Sequence, residues 1–191
     1  MAAALPTPAF IDWWFAPWRN GGPPLSAHCA SELARRDAYR QWCQQAGIAP
    51  QLPATADWAW QAAAAVDGAT LLRAAELFGG LLAARRQRHD ELAALAPADR
   101  RWCLAVALVQ PLADWDAGPV ASPRQRGLRE FALRAERALP GLWPRLALLL
   151  PGSDRCSVDP GAGAATQRTM HARERRCWLQ CVAQARSINT A

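Results

Sequence analysis

The chain contains no lysine, and that absence excludes more than any motif it carries. A Walker phosphate loop needs a lysine directly after its last glycine, so the glycine-rich stretch around Gly161 and Gly163 cannot be one. A dinucleotide fingerprint fails there too, because no strand pattern precedes those glycines. The six cysteines, Cys29, Cys43, Cys103, Cys156, Cys177 and Cys181, form no CxxC pair and no compact frame of the kind small secreted domains use. They therefore read as reduced thiols. The longest uninterrupted apolar run, Trp102 to Val109, is far below the ~20 residues of a membrane span. The opening MAAALPTPAF has no basic n-region and is broken by Pro6 and Pro8, which argues against a secretory signal and for a cytoplasmic protein.

Catalytic chemistry is equally sparse. There are three histidines, His28, His89 and His171, none in a recognisable motif. Cys177 and Cys181 lie four apart with His171 before them, a spacing a metal could use. Free cysteine more often packs as a small buried hydrophobe. His28 and Cys29 are adjacent, so on a helix they point apart and do not form a nucleophile and base. Asp114 and Asp116 flank Trp115 in a loop, and an exposed loop does not separate two carboxyl pKa values as acid–base work requires. No enzymatic activity, metal or cofactor is expected.

What is present is a helical pattern. A length of 191 residues fits one domain, and no segment alternates with period two. Ser26 can cap a helix to about Ala46, with Cys29, Leu33 and Trp42 near one face and Gly47 as its stop. Thr55 suits a second cap, before a stripe of Trp58, Ala62, Ala65 and Val66. Thr70 opens a third helix whose Leu71, Ala75, Phe78 and Leu82 share a face. That helix runs into Arg85, Arg86 and Arg88, cations that complement its negative end. Asp90 caps a short helical elbow to Ala96, and Pro97 occupies a first helical position. Trp102, Val106 and Val109 follow at core-facing spacing. Pro123 starts a helix to about Leu139 with Leu128, Phe131 and Ala135 inward, and a brief helix spans Pro144 to Leu150. A last helix carries Met170, Cys177, Trp178, Cys181 and Val182. The expected fold is all-α, without internal repeats. It comprises an arm over 1–24 packed on a helical domain over 25–191, with a flexible loop near 151–166.

Two features point to partners. The net charge is +6, carried by 22 basic residues that are all arginine. A high-GC coding bias produces that pattern without selection for phosphate binding, although arginine does favour planar carboxylate pairing. The arm holds FIDWWFAPW, Phe10 to Trp18, with five aromatic residues in nine positions. Such a segment either packs on the domain or docks a partner through buried tryptophan.

The N-terminal arm, a helix ending in AYRQWCQQAGI, a segment containing Trp58 and then LLRAAELFGGLLAARRQRHDELAALAPADRRWCLAVAL occur in an order with a counterpart. Over Phe10 to Leu150 this order resembles the SctK family, the adaptors of type III secretion sorting platforms, and in particular its Hrp-type members. The resemblance implies a helical protein without enzymatic activity at the cytoplasmic face of the inner membrane. There it would link the cytosolic domain of the inner-membrane ring protein to the pod protein and the ATPase. The family offers no short motif from which interface residues transfer. Buried aromatic anchoring and charge steering make Trp13, Trp14 and Trp18, or the elbow arginines Arg85, Arg86 and Arg88, the candidate partner-binding residues. The alternative is a basic nucleic-acid-binding or regulatory protein. In it, Glu91 to Leu108 would act as helix, turn and recognition helix, with Arg100 and Arg101 near the bases. Pro97 in place of the usual turn glycine argues against it.

Overall fold

GATLLRAAELFGGLLAAR, Gly68–Arg85, is apolar on nearly every side, and a helix of that kind belongs in the middle of a protein. In the computed structural model, which describes residues 5–21, 31–110, 112, 120–156 and 171–188, it does lie there. Numbering α-helices in chain order, α1 is Pro8–Phe15, α2 Glu32–Ala46, α3 Gly68–Arg85, α4 His89–Ala93, α5 Pro97–Val109, α6 Pro123–Ala138, α7 Leu142–Ala147 and α8 His171–Ile188. Short 3-10 helices occupy Pro17–Arg19, Trp58–Ala64 and Gly152–Asp154. No strand occurs among the described residues, so the fold is all-α.

Helices α5, α6 and α8 pack around α3. The closest approach is to α6. A Cβ on Gly79 would lie 1.8 Å from the Pro123 carbonyl oxygen, and one on Gly127 would lie 1.7 Å from that of Ala75. The two backbones therefore touch where neither has a side chain. Around them Leu71, Leu77, Phe78, Leu82, Phe131, Leu139 and Trp178 are all fully buried. Each such side chain contributes about 1.5–3 kcal/mol, against about 0–1 kcal/mol for an exposed pair such as Arg36 with Glu32 on α2. Packing on α3, not surface charge, therefore holds the fold.

Several expected boundaries shift for local reasons. Helix α3 begins at Gly68, two residues ahead of Thr70, because the Asp67 carboxylate caps it by accepting from the Thr70 amide, the third in the helix, at 2.7 Å. The segment after Asp57 is a 3-10 helix, whose period of three turns Trp60 and Ala63 inward and leaves Ala62 and Ala65 exposed. Ser31 caps α2, its hydroxyl accepting from the Ala34 amide at 3.1 Å, and Gly47 stops it in the left-handed region. Ser26 and Cys29 lie outside the described residues. Leu33 is exposed, while Trp42, Cys43 and Ile48 form a small cluster with Trp18, Tyr39 and Leu148. Helix α7 starts at Leu142, ahead of Pro144, because Gly141 takes φ +84° and the Glu136 carboxylate accepts from the Gly141 and Trp143 amides.

Helix α5 departs furthest. Asp99, Cys103 and Ala107 face inward, Trp102 and Val106 sit half-buried on the flanks, and Val109 is 73% exposed rather than in the core. Two interactions set that rotation. Cys103 fits where Gly80 has no side chain and donates to the Leu77 carbonyl at 3.5 Å. Asp99 is held by the Arg73 guanidinium, which also bridges Glu76 at 2.7 Å. Among the described residues no helix is long and apolar enough to cross a membrane.

Candidate partner-docking surface

The aromatic arm divides between core and surface. Thr7 caps α1, accepting from the Phe10 amide at 3.3 Å, and Pro8 follows at its first position. Phe10 and Trp14 then face the body and join the main core, with Trp14 fully buried. Trp14 consequently presents no surface to a partner. Trp13 lies on the other edge of α1, half-buried, stacked on Phe10 at 5.5 Å between ring centroids. Trp18 is half-buried as well and meets Tyr39 and Trp42 edge-on, both at 6.3 Å.

Trp13 borders a cleft of about 450 Å³ between α1 and the Trp58–Ala64 helix. Phe10 and Trp13 form one wall, and Gln61, Ala62, Ala64 and Ala65 the other. Gln61 is the polar side chain of that second wall, and its amide is already used: its oxygen accepts from the Thr7 amide at 2.7 Å and its nitrogen donates to the Leu5 carbonyl at 3.2 Å. The cleft is therefore an apolar depression whose polar rim is satisfied internally. An apolar or aromatic anchor fits such a site, and a charged ligand does not.

Under the arm lies a buried cation. Arg145 of α7 is fully buried, with its guanidinium 3.6 Å from the centroid of the Trp14 ring. It donates to the carbonyls of Trp14 at 3.2 Å, Gly141 at 3.2 Å and Ala49 at 2.6 Å, tying three stretches of chain together. Burial lowers its pKa, while Tyr39, Cys43 and Glu136 oppose that shift. Burial also pushes the Tyr39 hydroxyl up to about 12, helped by its hydrogen bond with Cys43.

The elbow arginines separate as well. Arg85 is exposed in the last turn of α3, Arg86 forms its C-cap, and both border solvent. Arg88 is half-buried and pairs with Glu91 at 3.6 Å, and Glu91 also receives a bidentate Arg126 at 2.7 and 2.8 Å. Of the three elbow arginines nominated for a partner, Arg88 is thus partly internal. Arg134 is fully buried between Glu130 and Glu174, 3.2 Å from the latter, and lies over the Phe78 ring. The sequence carries a pattern signal for both buried arginines, since Arg134 falls between Phe131 and Ala135 and Arg145 between Leu142 and Leu146, on stripes that are otherwise apolar.

The thiols offer little nucleophilic chemistry. Burial pushes Cys103 up to about 12, Cys156 and Cys177 to about 11, and Cys181 well above its ordinary value. Among the described residues no group of three His, Cys, Asp or Glu side chains could hold a metal ion. His28, Asp114, Asp116 and the Gly161–Gly163 stretch lie outside the described residues. No family model, no curated protein and no solved structure matches the chain.

Proposed function

We propose that this chain is a non-enzymatic cytosolic adaptor of a type III secretion system. In this reading it links the cytosolic domain of the inner-membrane ring protein to the pod protein, and so to the ATPase, at the cytoplasmic face of the inner membrane. The family resemblance supplies the system. The apolar cleft beside Trp13 supports the mode of action, because a concave apolar site with satisfied polar neighbours receives a side-chain anchor from another protein. A net charge of +6 and the exposed Arg85 and Arg86 suit an acidic partner surface, which they would attract from a distance.

The test is a substitution in the cleft wall. Ala62 is exposed and lines the cleft, so Ala62→Glu places a charge there without disturbing the core. Binding to the ring or pod protein should fall by about tenfold or more, with the melting temperature unchanged. Unchanged binding to both would remove the cleft from the account.

A further inference from the structure

The face of α5 that looks away from α3 carries Leu104, Leu108 and Val109, which are 45%, 84% and 73% exposed. Leu104 and Leu108 are four residues apart and so line up along one side of the helix. Ala105 is exposed beside them. A row of large apolar side chains left in water at one place marks a contact surface rather than scattered surface leucine.

The charges around the row decide what covers it. The single acid on α5 is Asp99, which is 2% exposed and committed to Arg73. The exposed charge is Arg101, with half-buried Arg100 beside it, both in the first turns where the helix dipole is also positive. The face is therefore apolar along its length and cationic at its N-terminal end. A second copy of the chain would complement it poorly. Two α5 helices paired antiparallel about a two-fold axis would bring leucine to leucine, but α5 has no free carboxylate to meet the arginines of the other copy.

We propose that the outer face of α5 docks an amphipathic helix of a different protein, one that lays a leucine-type stripe along Leu104 and Leu108 and sets acidic side chains over Arg100 and Arg101. This surface is separate from the cleft beside Trp13, and it stands whichever protein the cleft receives. Helix-in-groove recognition of this kind is read through anchors at i, i+4 and i+7.

The probe is a pair of labelled synthetic helical peptides of about 18 residues, long enough to span α5. Both have one leucine stripe; one ends in glutamates and the other in arginines. With the full chain, fluorescence anisotropy should show the glutamate peptide binding at least about tenfold more tightly than the arginine peptide. Leu104→Ser and Leu108→Ser should each weaken it by about tenfold with unchanged melting, and Arg101→Glu should abolish the preference. Equal binding of the two peptides, no binding of either, or binding indifferent to Leu108→Ser would overturn the proposal. So would a dimer in light scattering that Leu108→Ser dissociates, which would give the face to a second copy. No secretion protein enters the assay, so its outcome is separable from that of the adaptor reading.

Discussion

Arg145 holds Trp14 in two ways at once, with its guanidinium over the indole ring and an Nε hydrogen bond to the carbonyl of the same residue. The arm is thus bolted to the body through α7, and the same guanidinium ties in Ala49 beyond α2. Arg145→Met keeps the length of the side chain but leaves the carbonyls of Trp14, Gly141 and Ala49 without this donor. An orphaned buried acceptor costs about 1–3 kcal/mol, so a loss of about 2 kcal/mol or more is expected in denaturant melts. Limited proteolysis should then cut the variant within residues 5–21 before it cuts the wild type. An arm that stays protected at wild-type rates would show that Trp14 packing alone retains it.

At the crossing of α3 and α6, Gly127→Ala tests whether the backbones really touch. Alanine favours a helix over glycine by about 0.5–1 kcal/mol. Its Cβ, however, would lie 1.7 Å from the Ala75 carbonyl oxygen, which belongs to backbone and cannot swing aside. Overpacking of that sort costs about 1–3 kcal/mol, so the substitution should destabilise. An increase in stability would mean that the helices are further apart than described.

Asp67 separates a capping effect from a charge effect. Asp67→Ala removes the acceptor for the Thr70 amide and should cost about 1 kcal/mol. The hydrogen bonds from Thr70 hold the Asp67 pKa below its ordinary 3.8. A lowered folded-state pKa gives stability that is present above 3.8 and lost as pH falls through the lower value. Asp67→Asn keeps a cap but has no proton to gain, so its acid limb should be shallower than that of the wild type. Glu136 acts with the opposite sign, because burial raises its pKa above 4.5: its contribution is present below 4.5 and lost as pH rises through the raised value.

The buried thiols should report unfolding. Cys43, Cys103, Cys177 and Cys181 are all buried and, by burial above all, have raised pKa values. At about pH 8 a thiol reagent should label these four only as fast as the chain unfolds. Raised thiol pKa values also mean stability that is present below 9.0 and lost as pH climbs through about 11 to 12. Fast labelling of Cys103 or Cys181 in the native protein would contradict their placement.

Helix positions were readable wherever large apolar residues recur at three- to four-residue spacing, whether on one face as in α6 or on nearly all sides as in α3. Leu71, Ala75, Phe78 and Leu82 on α3, and Leu128, Phe131, Ala135 and Leu139 at α6, are buried as their spacing predicts. Gly47 and Pro97 mark their helix ends for ordinary backbone reasons. The rotation of α5 was not readable, because PADRRWCLAVALV is apolar on both sides and the choice depends on Gly80 and Arg73 from another helix. The cleft was hidden for a similar reason. Its wall needs the 3-10 geometry after Asp57, which the apolar stripe assigned to an α-helical period. Trp13, Trp14 and Trp18 could be nominated together, but only tertiary packing separates the buried Trp14 from its half-buried neighbours.

The most direct test of the proposed adaptor role is size-exclusion co-elution of the purified chain with the cytosolic domain of a type III secretion inner-membrane ring protein and, separately, with the pod protein, at low and moderate salt. A stable complex with each that survives moderate salt is expected, since apolar anchoring is screened far less than charge steering. A well-folded helical sample that binds neither would contradict the adaptor reading, and salt-sensitive binding to arbitrary DNA would then put the basic nucleic-acid alternative in its place.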